Sequence, residues 1–164
     1  MRFILLIMIL VGSAAAGDNF KEQDIIIIER NLNKNEVHYA VRIAHGRIDQ
    51  EEPIVAYWIM KEKGGIREDL NWIEKRKAYG FNIKKDETGD FYYMKFKGYD
   101  TRSIKVLVKD GQPKAEIGIN KAPAYFEKMY IYAVVSGFMP DIKYIELKGK
   151  DLKTGIHVSE RIIP

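Results

Sequence analysis

Cysteine is absent from the 164 residues. Its absence excludes disulfides, thiol catalysis, a lipid-modified cysteine and cysteine metal sites, so the fold has to be held by packing alone. Histidine is nearly as scarce: His38, His45 and His157 are the whole set, and no H-E-x-x-H or similar ligand spacing joins them. No metal or cofactor site is therefore expected. Beyond the N-terminus the serines are Ser103, Ser136 and Ser159, none within G-x-S-x-G. Excess charge is small as well. Lys and Arg total 27 against 23 Asp and Glu, a formal net charge of +4, too mild for the dense basic stripe of a nucleic-acid binder. After the first sixteen residues no apolar run approaches the roughly 20 residues of a membrane-spanning helix.

The N-terminus carries the one long apolar run. Met1-Arg2 leads into Phe3–Val11, followed by small residues ending in Ala14-Ala15-Ala16. A charged start, an apolar middle and an A-x-A site describe a cleavable secretory signal, with cleavage expected before Gly17. The expected organisation is a signal peptide over 1–16, a polar lead-in over 17–23 and a single domain over 24–164. The expected location is outside the cytoplasm, periplasmic or secreted, in a bacterium.

From Asp24 onward, short segments rich in Ile, Val, Tyr and Phe alternate with Gly, Asn, Asp and Pro, as strands alternate with turns. Strands are expected over 25–28, 36–45, 54–61, 79–84, 91–97, 103–109, 114–119, 125–135, 142–147 and 156–162. Within 36–45, Val37, Tyr39, Val41 and Ile43 share one face, with His38 and Arg42 on the other. Asn31–Asn35 fits a hairpin turn, and Asp110-Gly111 is the strongest short hairpin signal in the chain. One helix is expected over Arg67–Ala78, with Glu68 and Asp69 in its first turn, Lys75–Lys77 in its last, and a narrow apolar face of Leu70 and Ile73 beside Trp72. The expected fold is all-β: an antiparallel meander of about ten strands forming a barrel or two-layer sandwich, with one short helix inserted after the third strand.

No reactive constellation stands out. His38 and His45 are an odd number of residues apart on one expected strand, which sends them to opposite faces. The carboxylates of Asp86, Glu87 and Asp90 suit a turn better than a calcium loop. Aromatics are the informative population, including Phe91-Tyr92-Tyr93-Met94-Lys95-Phe96-Lys97, where lysines interleave with rings.

Asn31-Leu32-Asn33, Val37-His38-Tyr39, Pro53–Ile59 with its P-x-V-x-Y-W-I pattern, and Lys77-Ala78-Tyr79-Gly80-Phe81 together resemble a family of exported bacterial proteins catalogued as a domain of unknown function, number 4833. The resemblance implies export and one small domain over about Asp24–Ile162, and brings no known activity. It suggests that Asn31, Asn33, Tyr57, Trp58, Tyr79 and Gly80 meet in one region. The candidate binding residues are Asn31, Asn33, His38, Tyr57, Trp58, Tyr79 and Tyr92. The expected function is a non-catalytic binding or envelope-interaction module for an apolar or anionic small ligand or an envelope partner. The alternative is an exported hydrolase acting on cell-wall or glycan material.

Overall fold

A computed structural model of the chain describes residues 20–137 and 139–164. The expected signal peptide lies outside the described residues. The strands are β1 (Lys21–Arg30), β2 (Glu36–Ala44), β3 (Arg47–Ile48), β4 (Ile54–Met60), β5 (Ile66–Asp69), β6 (Phe81–Lys85), β7 (Phe91–Phe96), β8 (Ile104–Lys109), β9 (Gln112–Ile119), β10 (Ala122–Ser136), β11 (Met139–Asp151) and β12 (His157–Ile162). Among the described residues one α-helix, α1 (Trp72–Lys77), stands between β5 and β6. The all-β expectation holds.

One sheet runs β5-β4-β2-β1-β10-β9-β8-β7-β6, with β11 on β10, β12 on β11 and β3 on β2. Along one edge of β10, Ala122–Tyr125 pair with β9 and Lys128–Ile131 with β1. Its opposite edge carries β11. The sheet thus forks at β10 and curls on itself into an open half-barrel. The curl brings Tyr39 of β2 against Phe96 of β7, ring centres 5.0 Å apart, and Phe81 of β6, at 6.0 Å. Between the two wings lies the core, where Ile26, Tyr39, Val41, Met94, Val106 and Leu147 are fully buried.

Four expectations need correction. The sheet is mixed, because β1 runs parallel to β10, Ile27 opposite Lys128 and Arg30 opposite Ile131. The helix is shorter than expected and follows the fifth strand: Gly64 and Gly65, at φ 79° and 82°, turn the chain back after Met60. Ile66–Asp69 then add to β4, Met60 opposite Ile66 and Tyr57 opposite Asp69, so Glu68 and Asp69 sit in a strand. The expected apolar helix face is also absent, since Trp72 and Ile73 are 70% and 53% exposed. Only Leu70, ahead of the helix, reaches the core. His45 leaves the strand as well; with Gly46 it forms the turn into β3, both at positive φ.

Turns elsewhere follow the residues. Asp110 and Gly111 both take positive φ, the type I′ hairpin geometry. Asn120 and Lys121 do the same. At the C-terminal edge, Arg102 forks onto both carboxylate oxygens of Glu160 at 2.7 Å, and the Asn120 N–H donates to the same carboxylate.

The end strands β5 and β6 are not paired with each other; Leu70–Gly80 spans the gap. Asn71 caps α1, accepting from the Ile73 and Glu74 N–H groups, while the Glu74 carboxylate accepts from the Asn71 N–H. From the core side, the Trp58 indole N–H donates to Glu74 at 3.2 Å and the Tyr39 hydroxyl to the Tyr79 carbonyl at 2.7 Å. Gly80 is required by contact: a Cβ there would stand 1.6 Å from the Lys75 carbonyl oxygen. The A-Y-G motif is thereby explained as the return of the bridge to the sheet.

Gly80→Ala should therefore lose about 2–3 kcal/mol of stability, read as a lower urea midpoint at an unchanged slope. A second test uses Glu160, whose carboxyl is held at about 2 by its hydrogen bonds from Arg102. A depressed carboxyl contributes its full stability above the ordinary value of 4.5 and loses it as pH falls toward 2. Glu160→Gln should flatten the acid limb of the stability profile in that window, and an unchanged acid limb would contradict the assignment.

Candidate functional site

β1 ends at Arg30, and the turn after it explains the N-L-N motif. The Asn31 side chain donates to the Ala133 carbonyl and accepts from the Ala133 N–H, both at 2.8 Å, which extends the parallel ladder to β10 by one side-chain rung. Leu32 lines the mouth of a groove, described below. The Asn33 side-chain oxygen accepts from Arg30 Nε and from the Asn35 N–H, both at 3.1 Å.

Arg30 is held from three sides. Its guanidinium carbon stands 4.4 Å from the centre of the Trp58 ring, its Nη1 donates to the Tyr79 hydroxyl at 2.7 Å, and Asn33 takes Nε. Trp58 and Tyr79 meet edge to face at 5.1 Å. Burial pushes the Tyr79 phenol above its ordinary range despite the pull of Arg30, so the phenol stays neutral and leaves the charge of Arg30 uncancelled. Among the described residues no carboxylate stands within ion-pair distance of Arg30. A half-buried cation of this kind favours an anion.

This cluster borders an apolar groove of about 360 Å3 at one end of the half-barrel. Its walls include Ile28, Phe96, Met129, Ile131 and Ile145, and among the described residues its only charged lining residues are Arg30 and Lys77. Of three larger cavities, one of about 410 Å3 lies among Arg47, Lys85, Asp90 and Tyr92, and the other two differ from the groove in kind. One, of about 490 Å3, lies at the seam beside β4 and β5 among Glu22, Glu52, Arg67 and Asp69. The other, of about 500 Å3, lies near the fork of β1 and β9 among Asp24, Glu127, Lys150 and Asp151. Several of their charges pair off, Arg67 with Glu22 and Lys150 with Glu127.

The expected meeting of Asn31, Asn33, Tyr57, Trp58, Tyr79 and Gly80 is split by the pleat. Asn33, Trp58 and Tyr79 converge on Arg30, with Asn31 and Gly80 adjacent in the chain. Tyr57 faces the other side of the sheet. There its hydroxyl donates to Asp24 at 2.7 Å, Arg67 lies 3.6 Å over its ring and His38 stacks at 5.8 Å. His38 sits between two carboxylates, Nδ1 2.7 Å from Asp24 and Nε2 3.1 Å from Glu36. Burial raises the Glu36 carboxyl, but Lys61 and His38 outweigh it and hold it below its ordinary value. Tyr92 is buried in the core, away from the groove. In its strand Tyr92, Met94 and Phe96 point inward, leaving Tyr93 and Lys95 exposed. Arg30, the centre of the cluster, carries no sequence motif. Its one signal is its place directly before Asn31-Leu32-Asn33.

Fold and groove define a curled β-sheet domain with an apolar groove gated by a cation. The chain belongs to the family described as Domain of unknown function (DUF4833), whose model matches residues 26–161. No curated protein and no solved structure matches it. Among the described residues no helix is long and apolar enough to cross a membrane, and no group of three or more His, Cys, Asp or Glu side chains is placed to hold a metal ion.

Trp58, 6% exposed, should behave as core. Trp58→Ala is expected to cost about 3–5 kcal/mol in chemical denaturation, and a loss below about 1 kcal/mol would contradict its role as the support of Arg30 and α1.

Proposed function

We propose that this protein is a non-catalytic binding domain whose groove takes an amphipathic anion, with the apolar body between the sheet wings and the head group on Arg30. The observation that carries this reading is a guanidinium that lines a mostly apolar groove, with Lys77 as a second cation, and has no acid partner among the described residues. A volume of about 360 Å3 falls within the range of small-molecule sites, roughly 300–1,000 Å3. Export to the periplasm or beyond, expected from residues 1–16, is part of the proposal.

The hydrolase reading draws less support from the histidines. Both ring nitrogens of His38 are engaged by carboxylates, so neither is open to a substrate. Asp24 is also engaged by Tyr57, and Glu36 by Lys61. His157 pairs with Lys150 across the β11–β12 ladder and has no carboxylate partner among the described residues.

Calorimetric titration with dodecanoate and with the uncharged dodecanol tests the proposal. Dodecanoate should bind about tenfold or more tightly, the difference made by a charge-assisted hydrogen bond. Arg30→Gln should erase that difference, and Ile131→Trp, which fills the groove, should abolish binding of both. Equal affinity for acid and alcohol, or binding unaffected by Ile131→Trp, would overturn it.

A further inference from the structure

The short helix α1 presents an unusual surface. Trp72 and Ile73 are 70% and 53% exposed on neighbouring positions, in a protein that buries most of its large apolar side chains. Lys75, Arg76 and Lys77 follow them, all exposed. Helical spacing sets Lys75 and Arg76 beside Trp72, and Arg76 and Lys77 beside Ile73. None of these three cations has a carboxylate within ion-pair distance among the described residues. The helix's own acid, Glu74, is turned inward to Asn71 and Trp58. The outer face of α1 is therefore apolar and cationic with no anionic member.

A second exposed apolar surface lies on the β10–β11 hairpin. Val134, Val135 and Ile142 are 41%, 70% and 42% exposed at the end of the β10–β11 hairpin. Ile142 lines the groove, and Val135 pairs with Pro140, another lining residue. On the α1 side Lys77, Ala78 and Tyr79 line the same mouth. The α1 end and the β10–β11 hairpin thus both contribute lining residues to one groove.

We infer that α1 docks this protein on an anionic lipid bilayer, with Trp72 and Ile73 entering the headgroup region and Lys75, Arg76 and Lys77 meeting lipid phosphates. Charge complementarity selects this occupant: Trp is favoured at the boundary of headgroup and acyl chain, and cations beside it are attracted to acidic lipid. The capping box and the Trp58–Glu74 hydrogen bond hold α1 ready without a folding step on contact. Docking in this orientation sets the groove mouth toward the bilayer, yet it does not depend on what the groove holds.

Protein purified from cells expressing the full chain is sedimented with vesicles of phosphatidylcholine alone and of phosphatidylcholine mixed equally with phosphatidylglycerol. Binding to the mixed vesicles only is expected, weakened by added salt, with a blue shift of tryptophan emission that Trp72→Phe removes. Arg76→Gln with Lys77→Gln should lower partitioning roughly thirtyfold at low salt. Trp72→Ser with Ile73→Ser should lower it about tenfold or more. Both pairs lie on the exposed helix face, and an unchanged melting temperature checks the fold. Ile131→Trp should leave vesicle binding intact, which separates this inference from the groove's occupant. No binding to mixed vesicles, full binding by both α1 variants, or a change of oligomeric state on Trp72→Ser with Ile73→Ser would overturn it.

Discussion

The stacking of Arg30 between Trp58 and Tyr79 is the contact on which the molecule turns. A half-barrel whose end strands do not pair needs another way to close, and here the bridge between β5 and β6 delivers Tyr79 onto the guanidinium at the end of β1. Trp58 links the two parts: one side of its ring lies under the cation, and its indole N–H reaches Glu74 of α1. Asn33 fixes the guanidinium from a third direction by accepting from Nε. The same contact that closes the sheet therefore leaves a charge at the mouth of the groove.

An arginine so placed is costly to retain unless it is used. Its neighbours among the described residues satisfy hydrogen bonds but supply no negative charge, and a neutral phenol beside a half-buried cation cannot cancel it. The outer sheet face shows the contrast. There Asp24, His38, Glu36 and Lys61 form a continuous line of polar contacts, each side chain held by the next. That line reads as a brace across β1, β2 and β4. The unanswered charge lies on the inner side, beside apolar walls.

Much of this was legible in the residues, and the failures have physical causes. Alternation across Glu36–Ala44 assigned Tyr39 and His38 to their faces, and Asp110-Gly111 located its hairpin, because both signals are local. The helix start was misread because Glu68 and Asp69 match a helix's first turn, while the pairing of Ile66–Asp69 with β4 depends on the two glycines turning the chain back. The parallel contact of β1 with β10 joins residues about a hundred positions apart, and nothing local encodes it. Asn33, Trp58 and Tyr79 stand in motifs, yet Arg30, which unites them, stands in none.

The most direct measurement is nuclear magnetic resonance of the Arg30 Nε–Hε group and the isoleucine methyls during titration with a fatty acid. The account predicts that the Arg30 signal and the methyls of Ile28, Ile131 and Ile145 shift together and saturate at one equivalent. An Arg30 signal that stays fixed while the acid binds elsewhere would contradict it.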